Sequence, residues 1–290
     1  MKINQSLLLL PILLLIIGCS GTKLINKGTV SPEQFHSKTN FTTVKTVIII
    51  PVELNGIKKN FVFDTGAEYN ITQRDSIFGR TFTISGASKR KNKFGSEVIK
   101  SLKIESVIFE NTFSLNENMV GLKEQIPNFG GLIGQPIISK ANWLIDYPNK
   151  KIEIANKELS DNSFQTIQTK RKNGTPYTFI SINGQEYEVI IDLGSSSKMN
   201  VPKDSKLGKE LLKTLKFHNN KRERYTVGGL QTITEKVGVI PLVTIGSMEF
   251  KDVEMNINTS SQPRIGVSFF ENCLIYIDNT NGVYRIKPMN

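Results

Sequence analysis

At 290 residues the chain is long enough for two domains of about 100–150 residues each, and 38 % hydrophobic residues suffice for packed cores. With 22 glycines, 11 prolines and 2 cysteines it is neither fibrous, nor low-complexity, nor a disulfide scaffold. The formal net charge of +11 comes from lysines and arginines scattered along the chain, not interleaved with aromatics as in a nucleic-acid module; it reads as solvated surface, and no nucleic-acid partner is expected.

Residues 1–18 read as a targeting segment. Met1-Lys2 makes a positive start, and the apolar run 7–17 is too short for a membrane span, which needs roughly 20 apolar residues. The run ends in Leu15-Ile16-Ile17-Gly18-Cys19, which resembles the bacterial lipobox. That resemblance implies cleavage before Cys19, lipid such as palmitate on its thiol, and anchorage in a bacterial cell envelope. Ser20 in the following position favours the outer membrane. The alternative is a plain secretory signal with an incidental cysteine. If Cys19 carries lipid, Cys273 has no disulfide partner, and its apolar setting marks it as a core residue. Residues 19–42 mix Gly, Lys, Ser, Thr and Asn and read as a flexible tether.

Strand patterns begin near Thr46. Residues 46–54 are rich in Val and Ile, Asn55-Gly56 is a hairpin turn signal, and residues 60–63 lead into Asp64. The second half repeats this with 177–182, Asn183-Gly184, and 187–191 leading into Asp192. In both copies the turn glycine precedes the aspartate by eight residues, the mark of an internal duplication. Further on, an offset of 132 carries Leu132-Ile133-Gly134 onto Arg264-Ile265-Gly266, and Leu144-Ile145-Asp146 onto Tyr276-Ile277-Asp278. Each half thus ends in a glycine turn, a short helix and a hairpin. Residues 101–109 and 237–245 alternate as strands do, and 202–217 carries Leu207, Leu211, Leu212 and Leu215 at helical spacing, an insertion in the second half. These patterns predict an all-β chain with short helices: lobes 43–156 and 166–290, a polar linker 157–165, and a monomer that is an intramolecular pseudo-dimer.

Two copies of one loop can bring Asp64 and Asp192 face to face. Carboxylates roughly 3 Å apart cannot both ionise, so one stays protonated beside a charged partner. Such a pair holds both the base that activates water and the acid that protonates a carbonyl. Gly66 and Gly194 allow the backbone to turn sharply beside the acids. A strand ending in Asp64-Thr65-Gly66-Ala67, followed later by Leu132-Ile133-Gly134, resembles the aspartic peptidases. The tandem layout is pepsin-like and the short lobes are nearer a retropepsin subunit, so the chain is similar to a duplicated, single-chain, bacterial retropepsin-like protease. The resemblance implies an acid-protease type of closed or partly open β-barrel in each lobe. It also implies Asp64 and Asp192 as the catalytic pair, a peptide or protein substrate, and no metal or organic cofactor.

The resemblance further implies that the Thr65 hydroxyl reaches the opposite loop. The matching Leu193 can neither donate nor accept, so the lock is one-sided. Ala67 follows the retropepsin style. Ser195 follows the pepsin style, in which a hydroxyl bonds the nearer carboxylate. Flaps are expected at the turn around Gly86, before the basic run Lys89-Arg90-Lys91, and at Val227-Gly228-Gly229-Leu230. The basic run reads more simply as a solvated hairpin tip. From another class, the rival function is a non-catalytic peptide-binding envelope lipoprotein that keeps the fold.

Overall fold

The computed structural model describes residues 20–226 and 229–289, so Cys19 and Gly228 lie outside the described residues. Among the described residues no helix is long and apolar enough to cross a membrane.

The duplication is visible strand by strand. Val47–Leu54 pairs antiparallel with Ile57–Phe63, closing at Leu54 and Ile57 around Asn55 (φ 50°) and Gly56 (φ 85°). Thr175–Ile182 pairs in the same way with Gln185–Asp192 around Asn183 (φ 52°) and Gly184 (φ 77°). Positive φ at both central residues gives the turn whose twist matches that of the strands, which is why Asn-Gly recurs here.

Each aspartate strand is then wedged beside a glycine-bearing strand. Phe129–Ile133 runs parallel to Ile57–Phe63, with Ile133 opposite Phe63 and Asn70–Gln73 on its other side. Arg264–Gly266 runs parallel to Gln185–Asp192, with Gly266 opposite Asp192 and Met199–Pro202 on its other side. Both acids are therefore delivered at strand ends held on two sides, which fixes their direction.

The terminal hairpins of the two halves merge into one sheet. Asn142–Asp146 pairs with its hairpin partner Lys151–Ala155 and, across the lobes, with Cys273–Asp278. His36–Asn40 and Gln165–Ile167 close the two edges of this six-stranded sheet. Trp143, Ile145, Ile152, Ile154, Ile275, Ile277 and Ile286 are fully buried in a core that runs through both lobes. Trp143 packs 5.1 Å from the Phe63 ring, one residue before Asp64. Each buried large side chain contributes about 1.5–3 kcal/mol, so the lobes, and the loops they carry, are held in one relative position. Cys273 is buried there, and burial pushes its thiol up to about 11, in keeping with a core residue.

The expected tether differs from the structure. Within 19–42 the chain forms the short helix Ser20–Ile25, the strand Thr29–Ser31 beside Val107–Glu117, and His36–Asn40 beside Lys151–Ala155. Phe35 and Phe41 are buried at either end of His36–Asn40. The inward residues between them are Ser37 and Thr39, which bond Ser106 and Glu105. A strand that buries hydroxyls lacks apolar alternation. Residues 101–109 are also not one strand. They contain the turn of the hairpin Lys91–Ile104 and Val107–Glu117, made by Glu105 at φ 52°. The helix expected at 202–217 is Lys206–Thr214, capped by Ser205, whose side chain accepts from the Gly208 N–H.

Candidate active site

The two loops cross so that each supports the other's acid. A Cβ added at Gly194 would lie 2.2 Å from Asp64 Cγ, and one at Gly66 would lie 2.7 Å from Asp192 Cγ. Only glycine permits that approach. The carboxylates lie within hydrogen-bond reach of one another, and the Gly66 N–H donates to Asp64 Oδ1 at 2.9 Å. Burial pushes the Asp64 carboxyl well above the ordinary carboxylate range. The charge of Asp192 and the bond to it push the same way, against the Gly66 amide and the charge of Arg264.

Thr65 ties the loops together from one side. Its buried hydroxyl donates to Ile191 O at 2.7 Å and accepts from the Leu193 N–H at 2.9 Å. Leu193 is fully buried in the inter-lobe core instead, so this half of the lock is replaced by packing. A second tie lies beneath. Gln135 Nε2 donates to Thr65 O at 2.8 Å, Arg171 Nη1 donates to Gln135 Oε1 at 3.0 Å, and Arg171 Nη2 donates to Asn279 Oδ1 at 2.5 Å. Thr65→Val keeps the shape but leaves Ile191 O and the Leu193 N–H unpaired. The expected cost is about 2–4 kcal/mol in urea unfolding; a change below about 0.5 kcal/mol would show that the lock carries no stability.

Ala67 donates its N–H to Asp64 O at 3.3 Å and accepts from the Gln135 N–H at 3.0 Å. Ser195 departs from expectation. Among the described residues its hydroxyl bonds Asn200 Nδ2 at 3.1 Å and not Asp192. The partner of Asp192 is Arg264, whose Nη1 donates to Asp192 Oδ2 at 2.6 Å, with side chains only 11 % and 7 % exposed. The sequence motif contains Arg264 without marking it. The available signal is a break in the repeat, since the equivalent position in the first half is Leu132.

A cavity of about 250 Å³ opens over the acids, and both expected flap regions line it. The first is the hairpin of Phe82–Ser85 with Lys91–Ile104, whose turn places Gly86 and Ala87 on the cavity while Lys89, Arg90 and Lys91 are exposed. The second is the hairpin of His218–Thr226 with Gly229–Ile245, in which Thr226 faces Gly229 across the turn, and Tyr225 and Leu230 line the cavity. Both hairpins reach the opposite lobe. Ser261 N–H donates to Ala87 O at 2.8 Å, Thr226 Oγ1 donates to Ser88 Oγ at 3.1 Å, and the Tyr225 ring rests against Gly121. The site is roofed, as a reaction that must exclude bulk water requires.

Two duplicated β lobes, a shared inter-lobe sheet and reciprocal Asp-x-Gly loops make this the two-lobed acid-protease fold. The structure is similar to the crystal structure of an aspartic proteinase from Irpex lacteus, with a TM-score of 0.55 and 11 % identity over 88 % of this chain and 98 % of that one. At that identity the likeness is one of fold. No family model matches the chain, and no curated protein matches it.

Proposed function

We propose that the chain is an aspartic-type endopeptidase in which Asp64 and Asp192 activate one water against a peptide carbonyl. The observation that carries this is the reciprocal seating of each loop's glycine under the other loop's carboxylate, with the two acids in hydrogen-bond reach. The roles are unequal. Arg264 places a buried counter-charge on Asp192, which is assigned the role of base. Asp64, pushed upward by burial and by its neighbour, holds the proton. Its Oδ1 accepts from Gly66, which leaves Oδ2 to carry that proton. Asp192 Oδ1 then takes a proton from water while Asp64 gives its own to the carbonyl oxygen. Peptide lies extended under the two hairpins and bonds their backbone. If Cys19 is lipidated in an outer membrane, the fold begins one residue beyond the anchor, and the lobes ride close to the lipid surface.

A peptide mixture assayed from about pH 3 to about pH 8 with wild type and Asp192→Asn tests the proposal. Wild-type cleavage that disappears in Asp192→Asn is expected; no cleavage by wild type at any pH sinks it. The second reading, a peptide binder without turnover, is favoured by Arg264, because a guanidinium on Asp192 Oδ2 weakens that carboxylate as a base. It predicts saturable binding of peptides that stay intact. A further expectation concerns Gly194→Ala, whose methyl must displace the Asp64 carboxyl. Hydrolysis falls at least about 100-fold, as for an ångström-scale misplacement, with a smaller fall for Gly66→Ala. Equal, near-wild-type rates in both would show that the floor is not needed.

A further inference from the structure

Three arginines of the second lobe line the cleft, and their partners are unequal. Arg222 Nε and Nη2 reach the two oxygens of the buried Glu235 at 2.5 and 3.3 Å. Arg264 Nη1 reaches Asp192 at 2.6 Å. Arg224 lies two residues beyond Arg222 on His218–Thr226, and so projects on the same strand face. Its Nε and Nη2 are buried and have no hydrogen-bond partner among the described residues.

Those two nitrogens form the side-on edge of the guanidinium, the fork that grips a carboxylate through two parallel bonds. Arg222 uses the same edge on Glu235. Directly across the hairpin from Arg224 stands Gln231, whose Nε2 is also buried and unpartnered among the described residues. One register pair thus carries three buried polar nitrogens, all donors, on one face of the hairpin, and of the two residues Arg224 lines the cleft. The local charge agrees. Burial pulls the Arg224 guanidinium below its ordinary value and Arg222 and Arg264 repel it further, with Glu235 opposing. Two of the three guanidinium groups have a carboxylate, and the third calls for an anion.

We propose that Arg224, with Gln231 beside it, forms a carboxylate-binding subsite that selects peptides presenting an acidic side chain or a free C-terminal carboxylate to this side of the cleft. The subsite rests on the peptide-cleft function proposed above. The exposed run Lys89-Arg90-Lys91 on the other hairpin would draw the same acidic peptides toward the cleft without fixing their position.

The test uses the full chain and two series built on one fixed peptide. In the first, glutamate replaces glutamine at each position in turn. In the second, the C-terminus is a free acid or an amide, which separates the two sources of carboxylate. Cleavage is read by mass spectrometry and binding by fluorescence anisotropy, for wild type, Arg224→Gln and Arg224→Lys, with circular dichroism to establish that the variants fold. Wild type is expected to favour the carboxylate member of at least one pair by about tenfold or more. The ratio should fall to near one in Arg224→Gln and to an intermediate value in Arg224→Lys, which keeps the charge but not the fork. Cleavage with no carboxylate preference, or a preference that survives in folded Arg224→Gln, overturns the subsite and leaves the peptidase standing. Arg224-dependent binding without cleavage upholds the subsite and removes the peptidase. Neither binding nor cleavage removes both.

Discussion

Asp64→Asn abolishes peptide hydrolysis and at the same time stabilises the protein at neutral pH. Both results follow from one buried carboxyl. The amide cannot supply the proton that the carbonyl oxygen needs, and general acid–base catalysis contributes about 10²–10⁴-fold, so a loss of at least about 10³-fold is expected. The stability effect follows from linkage. Burial and the neighbouring Asp192 raise the folded-state pKa of Asp64 above its unfolded value. A raised carboxyl contributes its stability in full below the ordinary range near about pH 4, and loses it as pH rises through the folded-state value. Between the ordinary carboxylate range and pH 7 wild type gives up stability because folding must hold a proton on Asp64, whereas asparagine needs none. Thermal unfolding of wild type and Asp64→Asn across pH reads the difference. The variant should melt higher at neutral pH, and the gap should close in acid. A variant that melts lower than wild type at pH 8 would show that Asp64 is comfortably ionised there, and the assignment of the shared proton would fail.

What could be read in the sequence was local. A run of Val, Ile and Phe ending in Asp64, with its turn at Asn55-Gly56, is a strand, a turn and a loop within about ten residues, and the second copy makes chance a poor explanation. The fold and the meeting of the acids followed from that. Three features did not follow, each for a physical reason. The inter-lobe pairing of Trp143 with Ile277 joins residues far apart in the chain, and nothing in either hairpin names its partner. The strand His36–Asn40 buries Ser37 and Thr39, which are satisfied by Ser106 and Glu105 and not by apolar contact, so its pattern looked like tether. The turn at Glu105 uses positive φ without glycine or asparagine to announce it. The polar ties around the acids were hidden in the same way. Gln135, Arg171 and Asn279 come from a short helix, a strand and a hairpin turn far apart in the chain, and become a network only once the lobes have met.

Arg264→Leu restores the residue that the first half carries at Leu132, and it is expected to cost about 3–5 kcal/mol at neutral pH. The leucine removes the only cation paired, among the described residues, with a carboxylate whose side chain is 7 % exposed. Asp192 in the variant must then either stay charged without compensation or take up a proton. The deficit comes from a buried charge left without its counter-charge, so it is present at neutral pH and fades in acid, where that charge is neutralised. Urea unfolding at about pH 7 and about pH 4 separates this from a packing defect, which would cost the same at both. Catalysis moves in a linked direction. The charge of Arg264 lowers the proton affinity of Asp64, so its removal should carry the alkaline limb of the pH–rate profile upward. A peptidase tuned by Arg264 therefore loses stability at pH 7 while gaining activity relative to wild type toward neutral pH. If the protein binds peptides without cutting them, the same substitution alters stability with no profile to shift. A leucine variant that cuts peptides when wild type does not would identify Arg264 as the residue that holds this dyad silent.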